Sequence, residues 1–394
     1  MFTRTTPSLH KNKRIGKWFM LICFAIMSIY PVYRNFYYSN GIKTYERHRA
    51  VIEGRSEYYN PWQYRILSPY IVEGLLWVYN ITVDKIYPVE QKVRFSIADT
   101  SGQNEETGEF VRLMQTPGAM KYMIIFIFFR FAEHLLIFYL SWRLWAHFIK
   151  NKWLIFFGSC FLALAFGNAV TAADLSFNTY VDIILYLLAA IIILEKKNPW
   201  WLVPITILSA FNRETGLLIP ALYFISNTGM ENFNPVKLNL GSIRFPKKNV
   251  WIITIILYII FFAIFFALRS HYGYRPQQVW KAEAGLPMLK LNLFSAVGVK
   301  AYMELIGTFA VIPLVILYCF KRFPYILKKW FLFLVPVWFL VHYVSVVAYQ
   351  TRLFMVPMIL IFMPMMLWLI ESGNNRNTES KTTDDESLHK TYPA

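Results

Sequence analysis

A stretch near the middle of this chain decides its fold: residues 202–223 have the sequence LVPITILSAFNRETGLLIPALY. Asn212-Arg213-Glu214-Thr215 interrupts it, and neither apolar half reaches the roughly 20 residues that a helix needs to cross a hydrocarbon core. Arg and Glu at membrane depth each cost about 3 kcal/mol unless they face protein, water or a partner. Broken helices are tolerated there only where they are buried in protein or line a cavity. The stretch therefore predicts a broken or re-entrant pair of helices with a polar tip.

Composition places the whole chain in a membrane. Of its 394 residues, 56% are hydrophobic and 18% are aromatic, which is too apolar for a soluble domain. The net charge of +17 comes from short basic runs between apolar segments, as in the positive-inside bias. We expect no nucleic-acid binding, because no domain outside the membrane is large enough for such a motif. The three cysteines lie in apolar segments and predict neither a disulfide framework nor a metal cluster.

Hydropathy predicts an all-α polytopic membrane protein with about ten membrane segments. The apolar windows are 17–33, 119–147, 153–170, 180–195, 200–226, 250–268, 300–320, 331–349 and 353–370. Four short basic loops orient these segments with both termini in the cytoplasm, provided that 200–226 enters and leaves on the same side. Residues 1–370 form one transmembrane domain in this interpretation, and 371–394 form a disordered cytoplasmic tail.

The longest loop between the predicted segments is 34–118, on the outer face. Within it, residues 64–81 are apolar but interrupted by Ser68, Pro69 and Glu73. This pattern predicts an interfacial helix that lies on the outer surface. The predicted side of the membrane for every later loop depends on this helix not crossing the membrane.

No soluble-enzyme signature is present: there is no phosphate-binding glycine loop, no Cys/His metal spacing and no nucleophile elbow. The candidate site residues are instead ionisable groups near the outer boundary. Arg65 can bind a phosphate or carboxylate through its guanidinium, or it can contact lipid headgroups. Glu57 lies eight residues earlier and is a candidate base.

The next outer loop contains Asp174, and Asp182 lies at the start of the segment that follows it. Asp174 lies in a loop too short to extend far from the membrane, where partial desolvation suits a carboxylate to proton abstraction. Helix capping explains Asp174 equally well, and it is the favoured explanation for Asp182.

Other charged residues have structural alternatives. The polar tip of the broken segment has two possible roles. It is a functional site made by Asn212, Arg213 and Glu214, or it is a local Arg–Glu pair that only specifies packing. Arg352, in the last outer turn, pairs with a phosphate or extends to the membrane surface. Three ionisable residues lie on one face of the predicted segment 119–147, and this spacing predicts an ion pair or a proton relay. They are Arg130, Glu133 and His134.

These short motifs together resemble the GT-C superfamily of multispanning glycosyltransferases, in particular its poorly characterised bacterial members. In that branch the first outer loop carries a Tyr-Arg-x-Leu-x-Pro element, matched by 64–69. A mid-chain Asn-Arg-Glu-Thr followed by an apolar run and Pro is matched by 212–220. An Arg at the start of the last span, before Pro, is matched by Arg352 and Pro357.

The resemblance implies transfer of a sugar from a polyprenyl-phosphate donor to an outer-face glycan or lipid acceptor. Glu57 or Asp174 would then be the catalytic base, because the acidic residue that many members carry directly after the first span is missing here. The implied substrate- and phosphate-binding residues are Tyr64, Arg65, Asn212, Arg213, Glu214 and Arg352. No cofactor is identified, and the sequence leaves a divalent metal undecided.

Two other functions remain open. A transporter or lipid flippase would also use a broken helix and buried ion pairs, with its ionisable residues near the bilayer midplane. A non-catalytic partner in polysaccharide assembly would explain the missing acid after the first span. We expect a bacterial cytoplasmic (inner) membrane as the location.

Overall fold

The protein is an all-α polytopic membrane protein. The computed structural model describes residues 9–38, 41–55, 62–92, 108, 111–112, 115–170, 177–230, 243–274 and 281–373. The helices are α1 (Leu9–Tyr38), α2 (Gly41–Ile52), α3 (Leu67–Ile81), α4 (Val83–Ile86), α5 (Val89–Lys92), α6 (Ala119–Trp145), α7 (Lys152–Ala169), α8 (Phe177–Leu194), α9 (Leu202–Asn212), α10 (Leu218–Ser226), α11 (Lys248–Tyr272), α12 (Leu286–Phe294), α13 (Ala296–Phe309), α14 (Ile312–Tyr318), α15 (Tyr325–Ser345) and α16 (Thr351–Gly373).

Within the described ranges, 7 helices are long and apolar enough to cross a membrane, or 8 if the bent pair α13–α14 is one span. This is fewer than the ten predicted segments. The difference lies in 200–226, whose halves α9 and α10 have only 11 and 9 residues. The remaining predicted windows each coincide with one helix, except that the window 300–320 is bent by 76° between α13 and α14.

The bundle has two distinct ends, which can be assigned from contacts between helix termini. At the short-loop end, Arg143 at the end of α6 bonds to Glu195 after α8, and Glu371 accepts hydrogen bonds from the backbone N–H groups of Lys150 and Asn151. At the opposite, long-loop end, Asn35 of α1 donates to the Val170 carbonyl after α7. The predicted basic loops after α6 and α8 therefore share the short-loop end, and so does the loop before α15, where Phe323 packs against Trp368 near the end of α16.

The predicted re-entrant pair is present as a hairpin made by α9 and α10. α9 begins at the short-loop end, directly after α8, and its last residue, Asn212, donates to the Asn178 carbonyl in the first turn of α8, 2.7 Å away. α10 then returns to the short-loop end, where Lys329 of α15 donates to the Ser226 carbonyl. The start of α9 and the end of α10 therefore lie at the same end of the bundle. The hairpin does not reverse the orientation of the helices that follow it.

Local sequence explains why the chain reverses between the two halves. Arg213 is extended, with φ −158° and ψ 152°, which ends α9. Glu214–Leu217 then form one 3₁₀ turn before α10. A Cβ on Gly216 would lie 1.8 Å from Ser209 Oγ and 2.8 Å from Ser209 Cβ, so only glycine permits this close approach.

Helix α3 lies across the long-loop end, as the sequence predicted. Ser68 near its start contacts Asn212, and Asp84 just after its end pairs with Lys121 in the first turn of α6, so both ends of α3 are on the same side. Its 15 residues do not cross the bundle. Tyr70, Trp77, Val78 and Ile81 are exposed, whereas Tyr79 is buried, as expected for a helix with one face toward a lipid interface.

Candidate functional site

The centre of the candidate site is an ion pair between the loop before α3 and the tip of the hairpin. Arg65 donates from Nη2 and Nε to Glu214 Oε2, at 2.8 and 3.1 Å. The Arg65 guanidinium also lies 4.9 Å from the Trp62 ring. Arg269 of α11 approaches the other Glu214 oxygen at 3.7 Å and stacks 4.3 Å from the Tyr64 ring. The Glu214 carboxylate thus connects the tip of the hairpin with the loop before α3 and with α11.

The second acidic residue of the site is Asp182, which is fully buried in α8. Its Oδ2 accepts a hydrogen bond from Thr215 at 2.7 Å and lies 3.9 Å from Arg213 Nη1. Arg213 also reaches Thr179 at 3.4 Å. The favoured explanation of Asp182 as a helix cap is therefore wrong: it is the buried counter-charge of Arg213. The local Arg213–Glu214 pair is not formed either, because each residue pairs with a different element.

Neutral residues hold this arrangement in place. Asn212 is fully buried, donates to α8 and accepts from Ser68 of α3 at 3.4 Å. The Tyr64 hydroxyl donates to the Gly273 carbonyl at 3.0 Å, which fixes the loop before α3 to the end of α11. Asn212 and Tyr64 therefore position the charged groups from both sides.

Two further arginines lie within electrostatic range. Arg352, at the start of α16, is only 6% exposed and donates to Gln350 at 2.9 Å, so it does not extend to the membrane surface. Its charge interacts unfavourably with Arg65 and Arg130. The charge of Arg213 likewise interacts unfavourably with Arg65 and Arg352. These residues belong to one electrostatic unit.

The unit is rich in arginines. Glu214 pairs with Arg65 and Arg269, and Asp182 lies beside Arg213. Arg352 lies within electrostatic range of Arg213 and Arg65. In addition, the Nε atom of Arg213 is buried without a hydrogen-bond partner among the described residues. Clustered arginines, one of which has a buried N–H without a partner among the described residues, are suited to an anionic ligand.

A cleft opens beside the ion pair. The cleft is small, with a volume of about 50 Å³. Its lining combines one arginine, a histidine and polar groups with aromatic and apolar side chains, namely His48, Val51, Trp62, Arg65, Ser68, Pro69, Phe177 and Asn178. A ligand in this cleft would touch Arg65 directly.

The structure brings together all six predicted binding residues at the long-loop end: Tyr64, Arg65, Asn212, Arg213, Glu214 and Arg352. The candidate bases, Glu57 and Asp174, lie outside the described residues. Sequence reasoning missed Arg269. The available signal was a charged residue at the end of an apolar segment, which usually means only a membrane boundary.

The predicted ion pair between Arg130 and Glu133 is not seen. Arg130 lies 4.6 Å from the Phe177 ring, while neither Glu133 oxygen has a hydrogen-bond partner among the described residues. His134 donates from Nδ1 to the Arg130 carbonyl. The two charges interact only through space.

The described part of the chain contains no group of three or more His, Cys, Asp or Glu side chains that could hold a metal ion. Comparisons of the chain with protein-family models, with curated proteins and with solved structures found no match. The function therefore has to be argued from the geometry and charge of the site.

Proposed function

We propose that this chain is a membrane glycosyltransferase that moves a sugar from a polyprenyl-phosphate donor to a glycan or lipid acceptor. The observation that carries the proposal is the arginine cluster at one end of a transmembrane bundle, in which Arg65 lines a cleft and the buried Nε of Arg213 has no hydrogen-bond partner among the described residues. A lipid-linked donor reaches such a site through the bilayer and needs no nucleotide-binding domain.

The arginine cluster is suited to the chemistry of the leaving group. In the transfer step, the acceptor oxygen forms a bond to the anomeric carbon as the bond from that carbon to the phosphate oxygen breaks. The electron pair stays on the phosphate, which changes from a diester with one negative charge to a monoester with up to two. Arginines that contact the phosphate stabilise the later state, with its greater negative charge, more than the earlier one, which is what accelerates a reaction.

Each charged residue has a distinct part in this proposal. Arg65 lines the cleft and contacts the phosphate, and Arg213 and Arg352 add their field from behind. Glu214 and Asp182 hold the arginines in place when no donor is bound. The resemblance noted above assigns the base to Glu57 or Asp174.

The long-loop end faces the outer side of a bacterial cytoplasmic membrane in this proposal, with both termini in the cytoplasm. Its support is that the predicted basic loops share the short-loop end. In a variant with the three native cysteines replaced by serine, we expect Lys197→Cys to be labelled only from the cytoplasm and Lys85→Cys only from outside. Labelling of both from one side would overturn this orientation.

The test of function is transfer of labelled sugar from a panel of polyprenyl-phosphate donors by protein in proteoliposomes, with bacterial envelope extract as acceptor. We expect wild-type turnover, and a loss of at least 100-fold in Arg213→Gln, since one electrostatic contact to a developing charge contributes about 10²–10³-fold. The matched control is Arg322→Gln at the short-loop end, which should keep wild-type turnover.

The alternative outcomes are equally informative. Movement of intact donor between leaflets without release of sugar would identify a flippase. Absence of both transfer and donor binding across the panel would overturn the proposal.

A further inference from the structure

A histidine–glutamate pair lies beside the arginine site. His48 of α2 is only 2% exposed, and its Nε2 lies 2.8 Å from Oε1 of Glu73 on α3. The imidazole packs between the rings of Tyr122 and Phe126, at centroid distances of 5.2 and 5.3 Å. These contacts fix both the position and the plane of the ring.

A second layer of contacts orients the glutamate. Tyr122 donates from its hydroxyl to the same Glu73 oxygen at 2.8 Å, and Arg49 donates to the Tyr122 hydroxyl at 3.2 Å. The hydrogen bond from His48 is the main reason that the pKa of Glu73 lies below its ordinary value of 4.5. An ionised glutamate at Nε2 favours the tautomer with its proton on Nε2, which leaves the lone pair on Nδ1.

The pair shares its cleft with the phosphate-binding arginine. His48 and Arg65 both line this cleft, together with Trp62 and Ser68. A donor whose phosphate contacts Arg65 would therefore bring its anomeric carbon to the mouth of the cleft that His48 also lines. An imidazole held by a carboxylate beside a substrate cleft is the arrangement of a general base.

We propose that His48 is the general base of the transfer reaction and that Glu73 is its positioning residue; this inference rests on the proposed function. Nδ1 of His48 takes the proton from the acceptor hydroxyl as its oxygen bonds to the anomeric carbon. The electron pair of the broken carbon–oxygen bond leaves with the lipid phosphate. The imidazolium then returns its proton to water or to the phosphate, which restores the resting state.

The proposal has a structural competitor, in which the His48–Glu73 contact only fastens α2 to α3. The two roles differ in what they change. A fastening contact affects stability and donor binding, whereas a base affects turnover and its dependence on pH. The charged and titratable groups around the imidazole are Glu73, Tyr122, Arg49 and Arg65.

The experiment measures kcat, donor binding and pH dependence for full-length protein in proteoliposomes. We expect His48→Ala to lower kcat by about 100-fold or more at unchanged donor affinity, with partial rescue by added imidazole. His48→Gln keeps the side-chain volume and one hydrogen bond, so it should fold and still lack turnover. Glu73→Gln, which removes the carboxylate charge beside His48, should lower kcat at unchanged donor affinity and change the pH profile of turnover.

The matched control is His147→Ala. His147 also approaches a glutamate, Glu195, at 3.6 Å, but at the short-loop end, so its loss should leave kcat unchanged. Turnover of both His48 variants within threefold of wild type would overturn the inference. If turnover collapses instead in Glu57→Gln or Asp174→Asn, the base is a carboxylate and the proposed function stands. If the wild type itself shows no transfer, the proposed function fails first.

Discussion

The ion pair between Arg65 and Glu214 gives a quantitative prediction for stability. Its two hydrogen bonds measure 2.8 and 3.1 Å, and the side chains are 13% and 32% exposed. Pairs on the surface contribute about 0–1 kcal/mol, whereas breaking a buried pair costs about 3–5 kcal/mol. The partial burial places this pair between the two ranges. We therefore predict a coupling energy of about 2 kcal/mol between these residues.

The measurement is a double-mutant cycle with Arg65→Gln, Glu214→Gln and the double variant. Unfolding by SDS in mixed micelles, followed by circular dichroism, gives the free energy of unfolding of each variant. Glu214→Gln alone should cost more than Arg65→Gln, because Arg269 also loses its carboxylate at 3.7 Å.

The control cycle uses Arg112 and Glu46, which are 3.7 Å apart and 73% and 55% exposed. Its coupling energy should be below about 0.5 kcal/mol, because both side chains are solvated. A coupling energy for Arg65 and Glu214 as small as that of this control would refute the interpretation of their contact as the partly buried centre of the site.

Three further predictions address the hairpin, the acidic pair and the interfacial helix. Gly216→Ala should lower the free energy of unfolding by about 1–3 kcal/mol, since a Cβ there lies 1.8 Å from Ser209 Oγ, whereas Gly74→Ala, with open space around it, should not. The pKa of Glu73 lies below 4.5 in the folded protein, so its contribution to stability should be complete above about pH 4.5, decline as the pH falls further, and vanish in Glu73→Gln. Trp77, which is 64% exposed on α3, should be quenched by bromine placed near the lipid headgroups and not by bromine at the chain ends; the reverse would place α3 across the bilayer.

Sequence was sufficient for the parts of the fold that depend on one segment at a time. A polar tetrapeptide between two apolar halves, each too short to span, specified the hairpin of α9 and α10. The same reasoning identified α3 as an interfacial helix, because its apolar stretch is interrupted by polar residues. The prediction of about ten membrane segments included the two halves of the hairpin, which are too short to span, so the described residues contain 7 or 8 helices that can cross the membrane.

Pairings between distant residues could not be predicted. Arg213 and Glu214 are adjacent, yet the extended Arg213 and the 3₁₀ turn that follows send their side chains to different elements. Glu214 meets Arg65, which is 149 residues away, and Arg213 meets Asp182 on α8. Sequence adjacency suggested the local Arg–Glu pair as an alternative, because the sequence contains no information on how α3, α8 and α11 meet.

The His48–Glu73 pair was missed for a related reason. Neither residue lies in a recognisable motif, and they are separated by 25 residues and by the segment that contains Trp62 and Arg65. Only the packing of α2 and α3 against the start of α6 brings them together beside the cleft. Groups that act through contacts between helices need the assembled bundle to be recognised.

The most direct test of the central claim is binding of a polyprenyl phosphate, which requires knowledge of neither the sugar nor the acceptor. We predict that wild-type protein in nanodiscs binds polyprenyl phosphate at least 30-fold more tightly than the uncharged polyprenol, equivalent to about 2 kcal/mol. In Arg213→Gln this preference should fall by about tenfold, and in Arg322→Gln it should remain. Equal affinity of the wild type for the phosphate and the alcohol would contradict the assignment of the arginine cluster as a phosphate site.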